Sequence, residues 1–166
     1  RMTLSVVIIT KNEARCIARC IESVAWADEI IVLDSASTDG TPDIARKLNA
    51  KVTTSADWPG FGVQKNRALE LATGEWVLAL DADEWVTTAL RAEIEDAMRS
   101  PGIDVAFKIP RLSSYCGRFM RHSGWWPDYV TRLFRRGAAR FSDDLVHERL
   151  VVDGATGALR ESLMHE

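Results

Sequence analysis

Cysteine is scarce in this chain. There are three in 166 residues, and none has CxxC spacing. Cys16 and Cys20 lie four apart on one face of an expected helix and Cys116 is remote, so neither a disulfide framework nor a structural zinc site is written here. The three read as reduced thiols of a cytosolic protein. An excess of either charge is also missing. Lysine and arginine number 21, aspartate and glutamate 24, and the net charge is −3, which leaves no global basic field to favour nucleic acid. No apolar run is long enough to span a bilayer, and no signal peptide opens the chain. No GxGxxG follows the first apolar stretch and no Walker sequence occurs, which sets aside the usual dinucleotide fold and the P-loop. Internal repeats and low-complexity segments are absent as well. The length suits one domain with a substantial core.

What is present is organised around Trp76-Val77-Leu78-Ala79-Leu80, an unbroken apolar run that ends in Asp81-Ala82-Asp83-Glu84. Such a run reads as a buried strand of a parallel sheet. Ligands of open α/β sheets bind beyond the carboxyl ends of strands, which is where these acids fall. On an extended chain Asp81 and Asp83 point the same way, and two carboxylates aimed at one spot repel unless a cation joins them. A hard divalent ion held by one or two carboxylates and phosphate oxygens meets that need. The plainer reading is that the acids cap the next helix.

Strands are expected over 4–10, 29–34 and 51–54, and helices over 13–24, 42–48, 63–72 and 88–98, with Gly74 and Ser100-Pro101-Gly102 as stops. The alternation implies an α/β fold with a mostly parallel sheet and helices on both faces. After Gly102 the texture changes. Strands are expected over 105–110, 128–134 and 146–152, with no convincing helix, and arginine and tryptophan concentrate between Arg118 and Arg136. Tryptophan faces suit sugar rings and arginine forks suit phosphate, so Trp125, Trp126 and Arg132 are the candidates for binding an acceptor. The expectation is one domain over 1–166, with 1–102 holding the nucleotide and 103–166 finishing the sheet and holding the acceptor. The abrupt end at Leu163-Met164-His165-Glu166 suggests a piece of something longer.

The order and spacing of four segments resemble family 2 glycosyltransferases of the GT-A fold. They are Ser5-Val6-Val7-Ile8-Ile9-Thr10-Lys11-Asn12-Glu13, then Ile30 to Thr41 with Asp34-Ser35-Ala36-Ser37-Thr38-Asp39-Gly40, then Asn66-Arg67-Ala68-Leu69-Glu70-Leu71-Ala72-Thr73-Gly74-Glu75-Trp76, then Asp81-Ala82-Asp83-Glu84. Lys11-Asn12-Glu13, Gly124-Trp125-Trp126-Pro127 and Arg132-Leu133-Phe134-Arg135 resemble the smaller lipopolysaccharide-core β-glucosyltransferase-like branch. The resemblance implies that Asp83 binds a divalent cation (Mg2+ or Mn2+) and that Asp81 faces the cation and the donor ribose. It also implies that Thr10 and Asp34 line the nucleoside pocket and that Lys65 approaches the donor phosphates. Two positions depart from the pattern. Lys11-Asn12 stands where many relatives carry an aromatic residue against uracil, and Ser35 where many carry a second acid. Asn12 and Ser35 are therefore donor-side candidates that leave the base open.

The implied chemistry is an inverting transfer from a nucleotide-sugar donor to a lipid-linked saccharide acceptor, in lipopolysaccharide core or other cell-surface glycan synthesis. It would take place in the cytoplasm with at most peripheral membrane contact. A departing nucleoside diphosphate needs a cation, and the acceptor hydroxyl needs a general base. Asp143, Asp144, Glu148 and Asp128 are the candidates for the base, with Glu148 preferred and Asp144 next. His147 and His165 are candidates for a further metal ligand, with His165 carried forward. The rivals are a sugar-phosphate nucleotidyltransferase, which would show a glycine-rich loop after the first strand, and a catalytically silent nucleotide-sugar-binding module.

Overall fold

The structure is a computed structural model and describes residues 2–115, 118–119, 128–144 and 148–166. Its first half alternates as expected. The elements are β1 (Leu4–Thr10), α1 (Ile17–Ser23), β2 (Glu29–Asp34), α2 (Thr41–Lys47), β3 (Lys51–Thr54), α3 (Phe61–Leu71), β4 (Trp76–Asp81), β5 (Glu84–Trp85) and α4 (Thr88–Arg99). Strands dominate the second half: β6 (Asp104–Tyr115), β7 (Arg118–Phe119), β8 (Asp128–Arg135), β9 (Ala139–Phe141), β10 (Leu150–Val152), β11 (Ala155–Ala158) and β12 (Leu163–His165).

The main sheet runs β3-β2-β1-β4-β8-β6-β12-β5, with β9 and β10 in a small ribbon. Pairing is parallel from β3 to β4 and turns antiparallel where β8 joins β4. Because β1 and β4 are buried on both faces, they read as continuous apolar runs rather than alternating ones. Leu4, Val6, Ile8, Leu78 and Leu80 pack with Ile17, Cys20, Ile21, Ala45, Leu90 and Ile94 from α1, α2 and α4. Val7, Val77 and Ala79 face the other way, onto Ala68 and Ala72 at α3 and onto Phe134 and Phe141.

The chain builds outward from β1 through β2 to β3, then returns across β1 to lay down β4. That reversal makes the carboxyl ends of β1 and β4 a topological switch point, the usual ligand crevice of an open α/β sheet. Register brings Ile9 level with Asp81, and Thr10 level with Asp34.

Boundaries differ from expectation in three instructive places. The helix expected over 13–24 is regular only over Ile17–Ser23, and the Glu13 carbonyl accepts the Cys16 and Ile17 amides in the turn that leads into it. The strand expected over 146–152 is regular only at Leu150–Val152, and 145–147 lies outside the described residues. The end of the chain forms a strand, β12, parallel to β6 and antiparallel to β5.

Candidate active site at the end of β4

Asp81 is the last residue of β4, and the chain turns through Ala82 and Asp83 into β5. An open cleft of about 330 Å³ lies here, lined by Ile9, Glu13, Phe61, Lys65, Asp81, Ala82, Asp83 and Glu148. Three elements deliver the charged groups. Strand β4 supplies Asp81, α3 supplies Lys65, and the segment ahead of β10 supplies Glu148. Lys65 Nζ lies 2.8 Å from Glu148 Oε1 and 3.9 Å from Asp81 Oδ1.

Asp83 is held from the other side. Its Oδ2 is 3.1 Å from His165 Nε2, and His165 Nδ1 is 2.9 Å from Ser113 Oγ. The β12–β5 pairing sets this contact, with the Glu166 amide donating to the Asp83 carbonyl at 3.1 Å. A carboxylate and an imidazole facing one point, the imidazole oriented from behind by a hydroxyl, suit a divalent cation that completes its shell with phosphate and water. Among the described residues no three His, Cys, Asp or Glu groups converge closely enough to hold a metal unaided.

Beneath Asp81 is a buried charge cluster. Glu84 is fully buried, and its Oε1 accepts the Asp81 amide at 2.7 Å and Arg132 Nη1 at 2.5 Å. Arg132 also donates to the Ala79 carbonyl at 3.2 Å and to Asp81 Oδ2 at 3.3 Å. Arg111 lies 3.5 Å from Glu84 Oε2. Burial alone would push the Asp81 carboxyl up, but Arg132 and then Lys65 outweigh it and hold it below the ordinary carboxylate range. Burial raises the Glu84 carboxyl despite Arg132.

Arg132, a candidate acceptor ligand, lies beneath the cleft rather than at its mouth. Its guanidinium points inward, because β8 pairs antiparallel with β4 and carries that side chain under the site, where two acids and a carbonyl take its donors. Trp125 and Trp126, and also His147, lie outside the described residues.

The other donor-side candidates sit at the same end of the sheet but face one another. Thr10 Oγ1 donates to Asp34 Oδ1 at 2.6 Å, and the Ser37 amide and hydroxyl donate to the same carboxylate at 2.8 and 2.6 Å. Asp34 is therefore fully buried, tying together the loops that follow β1 and β2. Ser35 is buried and accepts Gln64 Nε2 at 2.9 Å. Asn12 is exposed with φ +53°, and its side chain accepts the Thr38 amide at 2.8 Å. Asp143 and Asp144 are exposed, and Asp128 is tied to Arg111 at 2.8 Å.

Reading the sequence left Glu84 without a role and missed Phe61 and Glu13 at the cleft. For the Glu84–Arg132 pair a signal was present: an arginine inside the apolar run Tyr129-Val130-Thr131-Arg132-Leu133-Phe134, and an acid directly after a buried strand, each needing the other.

The sequence profile described as Glycosyl transferase family 2 matches residues 5–164, and the chain belongs to that family. It is 32% identical to the lipopolysaccharide core biosynthesis glycosyltransferase LpsC of Rhizobium meliloti (strain 1021), over 99% of this chain and 63% of that protein. In structure it is similar to S. aureus TarS 1-349, with TM-score 0.74 and 21% identity over 99% of this chain and 60% of that one. It is also similar to the mannosyltransferase PcManGT from Pyrobaculum calidifontis in complex with GDP-Man and Mn2+, with TM-score 0.72 and 19% identity over 99% and 57% of the two chains. These likenesses establish the GT-A fold expected from the sequence. The chain spans about three fifths of the length of each of the three.

Proposed function

We propose that this chain is the donor-binding and transfer domain of an inverting, metal-dependent glycosyltransferase that moves a sugar from a nucleoside diphosphate to a saccharide acceptor. The observation that carries the reading is the convergence of Asp81, Asp83, Lys65 and Glu148 on one cleft at the switch point. PcManGT was crystallised with GDP-Man and Mn2+, and TarS with UDP-GlcNAc; the corresponding ligands here would be a nucleotide sugar and a divalent cation.

Asp83 and His165 would hold the cation, which when bound supplies positive charge against the leaving diphosphate. Asp81 faces the ribose side, with its charge balanced by Arg132 and Lys65. Lys65 is placed to turn from Glu148 toward a diphosphate and carry a second positive charge to it. Glu148 is the base: it takes the proton from the acceptor hydroxyl as that oxygen attacks the anomeric carbon from the side opposite the leaving group. Thr10, Asp34, Asn12, Ser35 and Gln64 shape the loops that would border the nucleoside. Trp125 and Trp126 keep their proposed place on the acceptor side, within 103–166.

Family membership favours transfer over a nucleotidyltransferase or a silent module, and likeness to LpsC favours a role in lipopolysaccharide core or related glycan assembly. No helix among the described residues is long and apolar enough to cross a membrane, and we place the reaction at the cytoplasmic face with peripheral contact. Thermal melting with a panel of nucleoside diphosphates and triphosphates tests the class. Stabilisation by a diphosphate only when Mn2+ is present supports transfer, whereas stabilisation by a triphosphate with pyrophosphate release contradicts it.

A further inference from the structure

Glu84 and Arg132 touch no substrate in the proposed chemistry, and both are buried under the cleft. A buried ion pair is a poor stabiliser against apolar residues of similar volume, so its placement calls for another reason. Four contacts supply one. Glu84 holds the Asp81 backbone amide at 2.7 Å while binding Arg132 at 2.5 Å. The second guanidinium nitrogen reaches the Asp81 carboxylate at 3.3 Å. On its other side Glu84 is the sheet partner of His165, the residue that meets Asp83. Glu84 thus holds the backbone of Asp81 through its carboxylate and the strand carrying His165 through its own main chain, and one guanidinium fixes the direction of the Asp81 side chain.

We propose that Arg132 and Glu84 are a positioning pair, which aims Asp81 at the donor and fixes its spacing from Asp83 and His165 without touching substrate. The inference rests on the reading of the cleft as a metal–diphosphate site. Residues that orient a metal site from behind typically contribute about 10- to 100-fold in affinity.

Removing Arg132 alone would strand two acids, so the test uses variants that avoid this. Arg132→Lys keeps the charge and loses the fork, and Arg132→Met with Glu84→Gln removes both charges together. In the intact protein, Mn2+-dependent binding of UDP, GDP, CDP and ADP is measured by calorimetry, alongside thermal melting and the donor KM and kcat. The expected result is binding weaker by about tenfold or more in both variants at temperatures where they remain folded, with Arg132→Lys the less affected. The loss should fall on the donor KM and on Mn2+ affinity, which a purely structural pair would leave unmoved. Wild-type Mn2+ and diphosphate affinity in either folded variant would overturn the assignment. Asp83→Ala separates the two levels. If it binds as wild type, the reading of the site has failed; if it does not while the pair variants do, only the positioning role has failed.

Discussion

Glu148 and Lys65 face each other at 2.8 Å across the cleft. Glu148→Gln keeps an acceptor for Lys65 but cannot take a proton. Transfer should fall by about 10²-fold or more with donor binding kept, since positioned acid–base groups contribute on that scale. Asp144→Asn, at an exposed position away from the described contacts, should transfer at near the wild-type rate. A dead Asp144→Asn beside an active Glu148→Gln, in a product-release assay, would move the base to Asp144. The acids at 81 and 83 stood out in the sequence because a buried strand that ends in carboxylates carries them to the carboxyl edge of the sheet, where ligands of open α/β sheets bind. Arg132 did not, because spacing along a strand does not say which face meets water. That depended on β8 pairing with β4, where Leu78 lies level with Leu133 and Trp76 with Arg135, far apart in sequence.

At the level of elements, α3 packs against the backbone at Ser142 through Gly62. A Cβ there would overlap the Ser142 carbonyl oxygen. Gly62→Ala should cost about 1–3 kcal/mol through overpacking, and should lower transfer more than donor binding, because Ser142 is hydrogen-bonded to Arg149, the residue that follows Glu148. Equal loss of both, measured at a temperature where the variant is folded, would contradict this.

A second junction sits at the opposite, amino end of the strands. Glu29 accepts Ser5 Oγ at 2.6 Å, Lys51 Nζ at 2.8 Å, and the Thr73 amide and hydroxyl at 2.7 and 2.8 Å. Burial pushes its carboxyl up, yet these bonds outweigh it and lower it from 4.5 to about 2. A carboxyl depressed on folding adds stability above its unfolded value and loses it as pH falls through the folded one. Glu29→Gln should therefore destabilise by on the order of 2 kcal/mol at neutral pH. The gap should close between pH 4.5 and 2; urea titrations showing a constant gap would refute it. The parallel half was readable because two-sided burial leaves long β-branched runs. Strands β9, β11 and β12 were not, since three or four residues carry no period. The last of these brings His165 to Asp83.

For the whole molecule, GT-A architecture follows from a parallel core built around β1 and β4, closed by antiparallel strands that return under the site. The alternation, the change of texture after Gly102 and the completion of the sheet by the later strands were legible, but not that those strands join it on the β4 side. That pairing is what brings Arg132, Ser113 and His165 to the acids of the switch point. In the proposed site the acids at the end of β4 would hold a cation that a nucleoside diphosphate shares. Calorimetric titration of UDP, GDP, CDP and ADP into the intact protein, with Mn2+ and then with EDTA, tests it directly when repeated on Asp83→Ala. The expected result is binding of at least one diphosphate that requires Mn2+, disappears with EDTA, and is lost in an Asp83→Ala variant melting at the wild-type temperature. Undiminished Mn2+-dependent binding in that variant would contradict it.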